Sequence, residues 1–323
     1  MDATLQRAYK RLESDSTSGR CGLFLSSLSE LERLFIYNSL EYERLERKHD
    51  DMLKLYMESG ENWHQTLFTS IFKILSCEKN REAYLKLAQR VGYNPILREG
   101  KSLKNIETIL LGASGILELY PKDAYILAMR CEAQYLMRKY KIEPMHYSEW
   151  RFDKVSPYNH PAIRLAQIAR LFSLRSLFFD DVIACKTLDD VVALFGVEAS
   201  DYWTSHFIPG VESKPLDVKV KRIGRQKCNL IGINVVVILQ YAYGLYTKNE
   251  QISDRAERLN ESLEAEYNTY IKRWGMYRVK PKNAFDSQAL IQLYTVYCKQ
   301  ARCRECPVGV KAVKNLGWIE SYK

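Results

Sequence analysis

The sequence lacks the short motifs by which most enzyme active sites are recognised. It has no glycine-rich loop of the kind that cradles a phosphate group, no G-x-S-x-G nucleophile motif and no H-E-x-x-H zinc motif. Its first residues, MDATLQRAYKRLESDSTSG, are charged and polar where a secretory signal needs an apolar run. We therefore expect a cytoplasmic protein with reduced cysteines, and no motif supports an enzyme activity.

The sequence also has few signals for β-structure. It contains no sustained alternation of apolar and polar residues and no Asn-Gly hairpin signature. Apolar residues recur instead every three or four positions, which is typical of amphipathic helices. Pro161 suits the first turn of one such helix. We predict an all-α fold, a multi-helix bundle with orthogonal or layered helices and a cysteine-containing C-terminal turn.

One long amphipathic helix is predicted to begin at a capping box, Ser27-x-x-Glu30, and to reach Met57. A stripe of apolar residues along it predicts the face that packs on the bundle. A coiled coil is the alternative, although Asn38 and His49 interrupt the stripe. The apolar residues of the stripe are Leu28, Leu31, Phe35, Tyr42, Leu45, Met52 and Tyr56.

The chain is long enough for more than one domain. At 323 residues it can bury a sizeable core, and domains usually contain about 100–200 residues. We predict an N-terminal extension over residues 1–25 and a helical domain over residues 26–323. The most irregular stretch, residues 144–157, is a candidate for a subdivision of that domain.

An uncharged run from Cys228 to Thr247 has the length of a membrane span. However, Asn229, Asn234 and Gln240 lie inside it, and unpaired amides are costly in hydrocarbon. We therefore predict a central core helix that is apolar on all sides, and no membrane association.

Positive charge is concentrated in two parts of the chain. The net charge is +9, and residues 271–323 hold eleven Lys and Arg against three acids. Residues 213–227 hold six basic residues against Asp217 alone. Local basicity favours a polyanion such as nucleic acid as partner, and a merely solvated face is the alternative. The residues predicted to contact phosphates are Lys219, Lys221, Arg222, Arg225, Lys227, Lys299, Arg302 and Arg304.

Three of the eight cysteines lie within nine residues, as Cys298-x4-Cys303-x2-Cys306. This spacing lets thiolates converge on one metal, and we predict a site for zinc or an iron–sulfur cluster. The alternative is three reduced cysteines packed in a tight turn. Either metal usually needs a fourth ligand, which has to come from elsewhere in the fold. The candidates for that ligand are Cys228, His206 and His160.

Other polar residues have a structural and a functional interpretation. His206, beside Trp203 and Phe207, is a candidate general base or ligand, and a packing role is the simpler account. The pairs Asp180-Asp181 and Asp189-Asp190 suggest paired carboxylates, but at helix starts they also compensate the helix dipole.

A series of motifs in order resembles the bacterial family named domain of unknown function 2851. The resemblance covers roughly residues 40–310 and implies no established activity. It rests on residues 43–48 (ERLERK), 61–63, 110–117 (LLGASGIL), 156–169, 202–206, 233–234, 283–289 and 297–306.

The resemblance marks further candidate residues, and the chain departs from the family pattern in two places. Asn159, Arg164 and Gln167 lie in the matching stretch 156–169 and join His206 as candidate functional residues. His160 stands where relatives have phenylalanine. Longer members begin with a β-rich region similar to restriction-endonuclease-type nucleases, which has no counterpart in these residues, so its chemistry is not carried over.

Three functional hypotheses follow. The first is a nucleic-acid-associated helical module, accessory to a nuclease system. The second is a scaffold that docks a protein partner through the helix of residues 27–57. The third is an enzyme that uses a cysteine-bound metal.

Overall fold

The computed structural model describes residues 3–15, 18–119, 123–175 and 178–315 of the chain. Within these residues almost all regular structure is helical, and the one sheet contains two short strands. The predicted all-α class and the helical bundle are confirmed.

The helices follow one another through short connections. The first three are α1 (Ala3–Glu13), α2 (Gly19–Ser27) and α3 (Glu30–Glu58). The next ten are α4 (Trp63–Leu75), α5 (Arg81–Val91), α6 (Tyr93–Arg98), α7 (Leu103–Ala113), α8 (Ala124–Tyr140), α9 (Pro161–Ser173), α10 (Phe178–Ala184), α11 (Leu188–Phe195), α12 (Arg225–Ile231) and α13 (Val237–Tyr246). The last four are α14 (Glu250–Ser262), α15 (Thr269–Gly275), α16 (Ala284–Gln292) and α17 (Pro307–Lys314).

Two compact units divide the chain. The first unit consists of residues 1–51 and 244–323, and the second unit consists of residues 52–243. Segments from both ends of the chain thus build the first unit, whereas the second is continuous in sequence. This division does not coincide with the predicted boundaries after residue 25 and near residues 144–157.

The core of the first unit joins helices that are far apart in sequence. Helix α17 packs against α1 and α2. Leu12, Phe24 and Leu25 share one buried apolar cluster with Trp274 and Leu290. Burying one such aliphatic side chain contributes about 1.5–3 kcal/mol to stability. Helices α1 and α2, which fall in the predicted extension, therefore supply part of this core.

Helix α3 begins two residues later than its predicted capping box implies. The box is formed by the next S-x-x-E pair, in which the Glu32 N–H donates to Ser29 Oγ at 3.3 Å and the Ser29 N–H donates to the Glu32 carboxylate at 3.0 Å. Ser27 ends α2 instead, and its hydroxyl donates to the Phe24 carbonyl at 2.8 Å. Overlapping S-x-x-E pairs at 27–30 and 29–32 made the sequence signal ambiguous.

The buried face of α3 matches the predicted stripe only in the second half of the helix. Leu45, Met52 and Tyr56 are buried as expected, but Leu31 and Phe35 are 62% and 67% exposed. An apolar pattern that repeats every seven residues drifts by about 20° per heptad around a straight helix, so one stripe does not stay on one face. The buried apolar residues of the first half are Ile36, Tyr37 and Leu40.

The second unit is built around α7. This helix packs against α5, α8 and α9, and the run 110–117 that continues from it is buried throughout. Aromatic rings of α4 and α5 fill the adjacent core, where Phe68 and Phe72 lie 4.6 Å apart between ring centroids. Most of the side chains in the core of this unit are therefore apolar.

A small hairpin in the second unit was missed from the sequence. Strands β1 (His206–Ile208) and β2 (Val211–Glu212) pair antiparallel across Pro209 and Gly210. Gly210 has φ +69°, a conformation that favours glycine at this position of a turn after proline. Strands of two or three residues are too short to show alternation, although the Pro-Gly pair was a usable turn signal.

The uncharged run of residues 228–247 is helical and mostly buried. Helices α12 and α13 are joined by a π-helical segment, Gly232–Val236. Arg225–Tyr246 is long and apolar enough to cross a membrane by length and composition, yet 78% of its most apolar window is buried within the protein. The Gln240 amide donates to the Cys185 carbonyl at 2.8 Å, and the Asn234 amide donates to the Leu230 carbonyl at 3.1 Å. This burial favours the predicted core helix.

Candidate functional site

The three C-terminal cysteines lie on a tight turn between α16 and α17. A π-helical segment, Leu293–Tyr297, extends α16 and leads into one 3₁₀ turn at Cys298–Gln300. Ala301 then takes a left-handed conformation with φ +53°. These changes of helical pitch fold the chain back on itself before Pro307 opens α17.

The end of this turn is held by Cys306 and Gly309. Cys306 caps α17, and its Sγ accepts a hydrogen bond from the Gly309 N–H at 3.5 Å. A Cβ atom on Gly309 would lie only 2.3 Å from the carbonyl oxygen of Cys303. The absence of a side chain at residue 309 therefore lets the Cys303 backbone approach the start of α17.

A fourth cysteine joins this group from the other end of the chain. Cys21 lies on α2, is 7% exposed, and belongs to the same buried cluster as Cys306. Cys298 and Cys303 are partly buried and pack against that cluster. The first unit thus brings four thiols into one region, of which the sequence analysis identified three.

Burial dominates the acidity of these thiols. It raises the pKa of Cys298 to about 11 and that of Cys306 to about 12, and it raises the pKa of Cys303 as well. The pKa of Cys21 is raised further, first by burial and then by the neighbouring thiol groups of Cys298, Cys306 and Cys303. Without a cation among them, the four groups are therefore neutral thiols at neutral pH.

Two neighbours favour a negative charge on Cys298. The Ser18 side chain hydrogen-bonds the Cys298 thiol, and Arg273 places a positive charge near it; both lower its pKa against the effect of burial. Ser18 precedes α2 and lies three residues before Cys21, so the segment that positions Cys21 also contacts the C-terminal turn.

The metal site predicted at the three cysteines stays a prediction. In the part of the chain that the structure describes, no three His, Cys, Asp or Glu side chains are arranged so that they could hold a metal ion as they stand. The three candidates for a fourth ligand belong to the second unit and have roles there. Cys228 is buried against the Ile223 carbonyl, His160 caps α9, and His206 stacks on Tyr202.

The basic residues of the C-terminal turn lie at the surface. Lys299 is exposed and forms no ion pair with any residue that the structure describes. Arg302 pairs with Glu305 and lies 5.4 Å from the centroid of the Tyr297 ring. Arg304 pairs with Glu13 at 3.0 Å. Exposed pairs of this kind contribute only about 0–1 kcal/mol, so a phosphate can compete for these cations.

The basic residues of segment 213–227 have more varied surroundings. Lys221 is 1% exposed, and its ammonium group donates to the Thr204 and Asp217 carbonyls. Lys227 donates to the Ile74 carbonyl at 2.6 Å, and burial lowers its pKa to about 8. The structure therefore places both ammonium groups against backbone carbonyls. Three of the residues predicted to contact phosphates lie at the surface of the segment: Lys219 over the Tyr158 ring, Arg222 paired with Glu198, and Arg225 paired with Asp189.

The candidate residues of stretch 156–169 form a buried polar network. The Arg164 guanidinium donates to Asn159 Oδ1 at 2.9 Å and to Gln167 Oε1 at 2.8 Å. The Gln167 amide in turn donates to the Lys221 carbonyl at 3.0 Å. This network fixes the backbone that carries Lys221.

His206 belongs to a stack of rings and makes local hydrogen bonds. Its ring lies 4.1 Å from that of Tyr202, which stacks on Tyr125 at 4.0 Å. Its Nδ1 lies 3.0 Å from the Tyr202 carbonyl. The Tyr202 hydroxyl donates to Asp123 at 2.9 Å. These contacts agree with the packing interpretation of His206.

A buried ionic group in the first unit was missed from the sequence. Glu41 is fully buried and accepts hydrogen bonds from Arg44 Nη1 at 3.0 Å and from the Asn260 amide at 2.8 Å. Burial raises the pKa of Glu41 to about 7. Glu41 Oε2, Arg44 Nη2 and Asn260 Oδ1 have no hydrogen-bond partner among the described residues. Glu and Arg three residues apart, each flanked by an apolar residue, were the available signal.

Comparison with known proteins gives one match. The sequence model of a family described as protein of unknown function (DUF2851) matches residues 1–269. Comparisons with curated proteins and with solved structures found no match. The matched range includes Cys21 and ends before the three C-terminal cysteines.

Proposed function

The chain belongs to the DUF2851 family of proteins of unknown function, so its function has to be argued from its own residues, and we propose that it is a nucleic-acid-associated helical module. In this proposal the surface cations of the C-terminal turn contact phosphate groups. A more specific version of this proposal is that the protein is an accessory part of a nuclease system.

The observation that carries the proposal is the local excess of accessible positive charge. Residues 271–323 contain eleven Lys and Arg against three acids. Lys299, Arg302 and Arg304 lie on one short turn, where Arg302 pairs with exposed Glu305 and Arg304 pairs with half-buried Glu13. Phosphate groups prefer such cations, and binding them releases counterions from the nucleic acid. Arg302 also lies over the ring of Tyr297.

A salt titration tests this proposal. Fluorescence anisotropy with labelled duplex and single-stranded oligonucleotides would measure the dissociation constant from low to moderate salt. Each phosphate contact contributes about 0.9 to the slope of log K against log salt for duplex DNA. The triple variant K299Q/R302Q/R304Q should therefore reduce the slope by up to about 3. A dissociation constant that does not change with salt would reject the proposal.

Two further triple variants show which surface is used. K219Q/R222Q/R225Q removes the same amount of charge from the segment of residues 213–227. K101Q/K104Q/R138Q removes it from exposed positions outside both basic regions. We expect the first of these to weaken binding less than the variant of the C-terminal turn, and the second to leave binding unchanged. Equal losses in all three would mean that only the net charge matters.

A second candidate function is a scaffold that docks a protein partner through helix α3. Leu31, Leu34 and Phe35 are exposed on its first turns, and clustered exposed apolar side chains are typical of interaction surfaces. The variant L31S/F35S leaves the buried face intact. Light scattering after size exclusion should show a lower mass for this variant if α3 mediates association. An unchanged mass together with unchanged partner binding would count against docking.

A further inference from the structure

Cys21 and the cysteine turn belong to opposite ends of the chain and meet in one core. We propose that Cys21 is the fourth ligand of a thiolate-bound metal centre formed with Cys298, Cys303 and Cys306. The centre would hold either zinc or an iron–sulfur cluster, both of which bind through cysteine thiolates. No ligand from the second unit is needed.

The packing of the first unit supports this assignment. Cys21 and Cys306 belong to the same buried cluster, and Cys298 and Cys303 pack against it. The helices that carry Cys21 and follow Cys306, α2 and α17, pack against each other. The four thiols are thus held in one region by contacts between two parts of the chain that are far apart in sequence.

The turn itself is built to bring its backbone close to these thiols. Gly309 leaves room for the Cys303 carbonyl, and Cys306 directs its sulfur toward the start of α17. In that position the sulfur meets the N–H groups of a helix start, which stabilise negative charge on a thiolate.

The donor set fits a metal that prefers sulfur. Four cysteines are the ligand set of structural zinc sites and of iron–sulfur clusters. Arg273 near Cys298 offsets part of the negative charge that four thiolates bring. The thiols as they stand do not hold a single ion, so zinc requires them to draw closer. In a [4Fe–4S] cluster each thiolate binds a different iron atom, which requires less convergence.

The centre would connect the two segments that build the first unit. It would tie residue 21 to residues 298–306 and so restrain the ends of a very long loop. Cross-links of this kind stabilise mainly by limiting the unfolded chain. The expected role is structural, and it does not depend on nucleic-acid binding.

Metal analysis of the whole chain, purified without oxygen, tests the assignment. We expect either about one zinc per chain, or iron and acid-labile sulfide in equal amounts with a visible absorption band. The variant C21S should lose most of this metal and unfold at a lower temperature. C228S removes another buried cysteine as a matched control and should keep the metal. Metal-free wild-type protein, or full metal content in C21S, would overturn the proposal.

Two measurements keep the test decisive if C21S does not fold. C303S changes a half-buried thiol, and it should lose the metal while the protein stays folded. In wild-type protein, thiol alkylation mapped by mass spectrometry should show Cys21 becoming reactive together with the three C-terminal cysteines when a chelator is added. Buried Cys228 should stay protected and exposed Cys131 should react throughout. If Cys21 stayed protected while the other three reacted, it would not be a ligand.

The outcome is separable from that of the nucleic-acid proposal. K299Q/R302Q/R304Q keeps all four cysteines and should retain the metal even where it loses oligonucleotide binding. Loss of metal in C21S with unchanged oligonucleotide binding would support the metal centre alone.

Discussion

The buried carboxyl group of Glu41 should make the stability of the protein depend on pH in an unusual direction. It is fully buried, and it pairs with Arg44 at 3.0 Å. Its second oxygen has no partner among the described residues. Burial raises the pKa of Glu41 from an ordinary 4.5 to about 7, so the folded protein holds a proton that the unfolded chain releases.

The sign of the effect follows from this difference. The folded state binds the Glu41 proton more tightly than the unfolded chain does. The stability that this protonation contributes is therefore complete below about pH 4.5 and is lost as the pH rises through about 7. This difference between the pKa of Glu41 in the folded and in the unfolded state corresponds to about 3 kcal/mol, since each tenfold change in proton affinity corresponds to about 1.4 kcal/mol. Most surface carboxylates act in the opposite direction, because ion pairs lower their pKa.

Urea unfolding of wild type and E41Q between pH 4.5 and pH 8 measures this contribution. Glutamine keeps the size of the side chain and cannot titrate. The free energy of unfolding of wild type relative to E41Q should fall by about 3 kcal/mol across this range. E46Q, at an exposed position of the same helix, is the control and should show no such trend. A difference between wild type and E41Q that is constant with pH would refute the reasoning.

Three further substitutions test other contacts. K227M should stabilise the protein at pH 7 by about 1–2 kcal/mol, because it removes an ammonium group that is partly desolvated. The gain in stability should shrink as the pH rises from about 8 toward 10.5, where the lysine of the wild type loses its charge. A variant that is less stable than wild type at pH 7 would contradict this. G309A should lower the urea midpoint, at a cost of about 1–3 kcal/mol, because its Cβ would collide with the Cys303 carbonyl; an unchanged midpoint would show that the turn can relax. W203F should cost about 1–3 kcal/mol in thermal unfolding, because it removes the N–H that donates to buried Glu107 at 2.6 Å; no loss would mean that another donor replaces it.

Local patterns predicted the helical class and the core helix well. The spacing of apolar residues is a property of the chain itself, and the Gln240 amide, taken from sequence as a sign of a core helix, donates to the Cys185 carbonyl of another segment. The start of α3 was misplaced because two overlapping pairs offered the same cap. The exposure of Leu31 and Phe35 depends on which helices pack nearby, which periodicity does not specify.

The candidate site was predictable only in part, for a similar reason. Three cysteines within nine residues are visible as a motif, but Cys21 lies near the other end of the chain and joins them only through tertiary packing. Lys221 is of a residue type that binds phosphate and lies in a basic segment, yet the fold buries its ammonium group against carbonyl oxygens. The sequence shows where charged residues cluster along the chain. Whether each charged group is exposed depends on contacts with residues that are far away in sequence.

The arrangement of the two units has a consequence for biosynthesis. Residues 52–243 leave the ribosome as one continuous stretch that builds one compact unit, so we expect this unit to begin folding while translation continues. Helices α1 and α2 emerge before this stretch, whereas their packing partner α17 emerges after it. The apolar side chains of α1 and α2 therefore stay uncovered until α17 has been made, and we expect a chaperone to meet the nascent chain there.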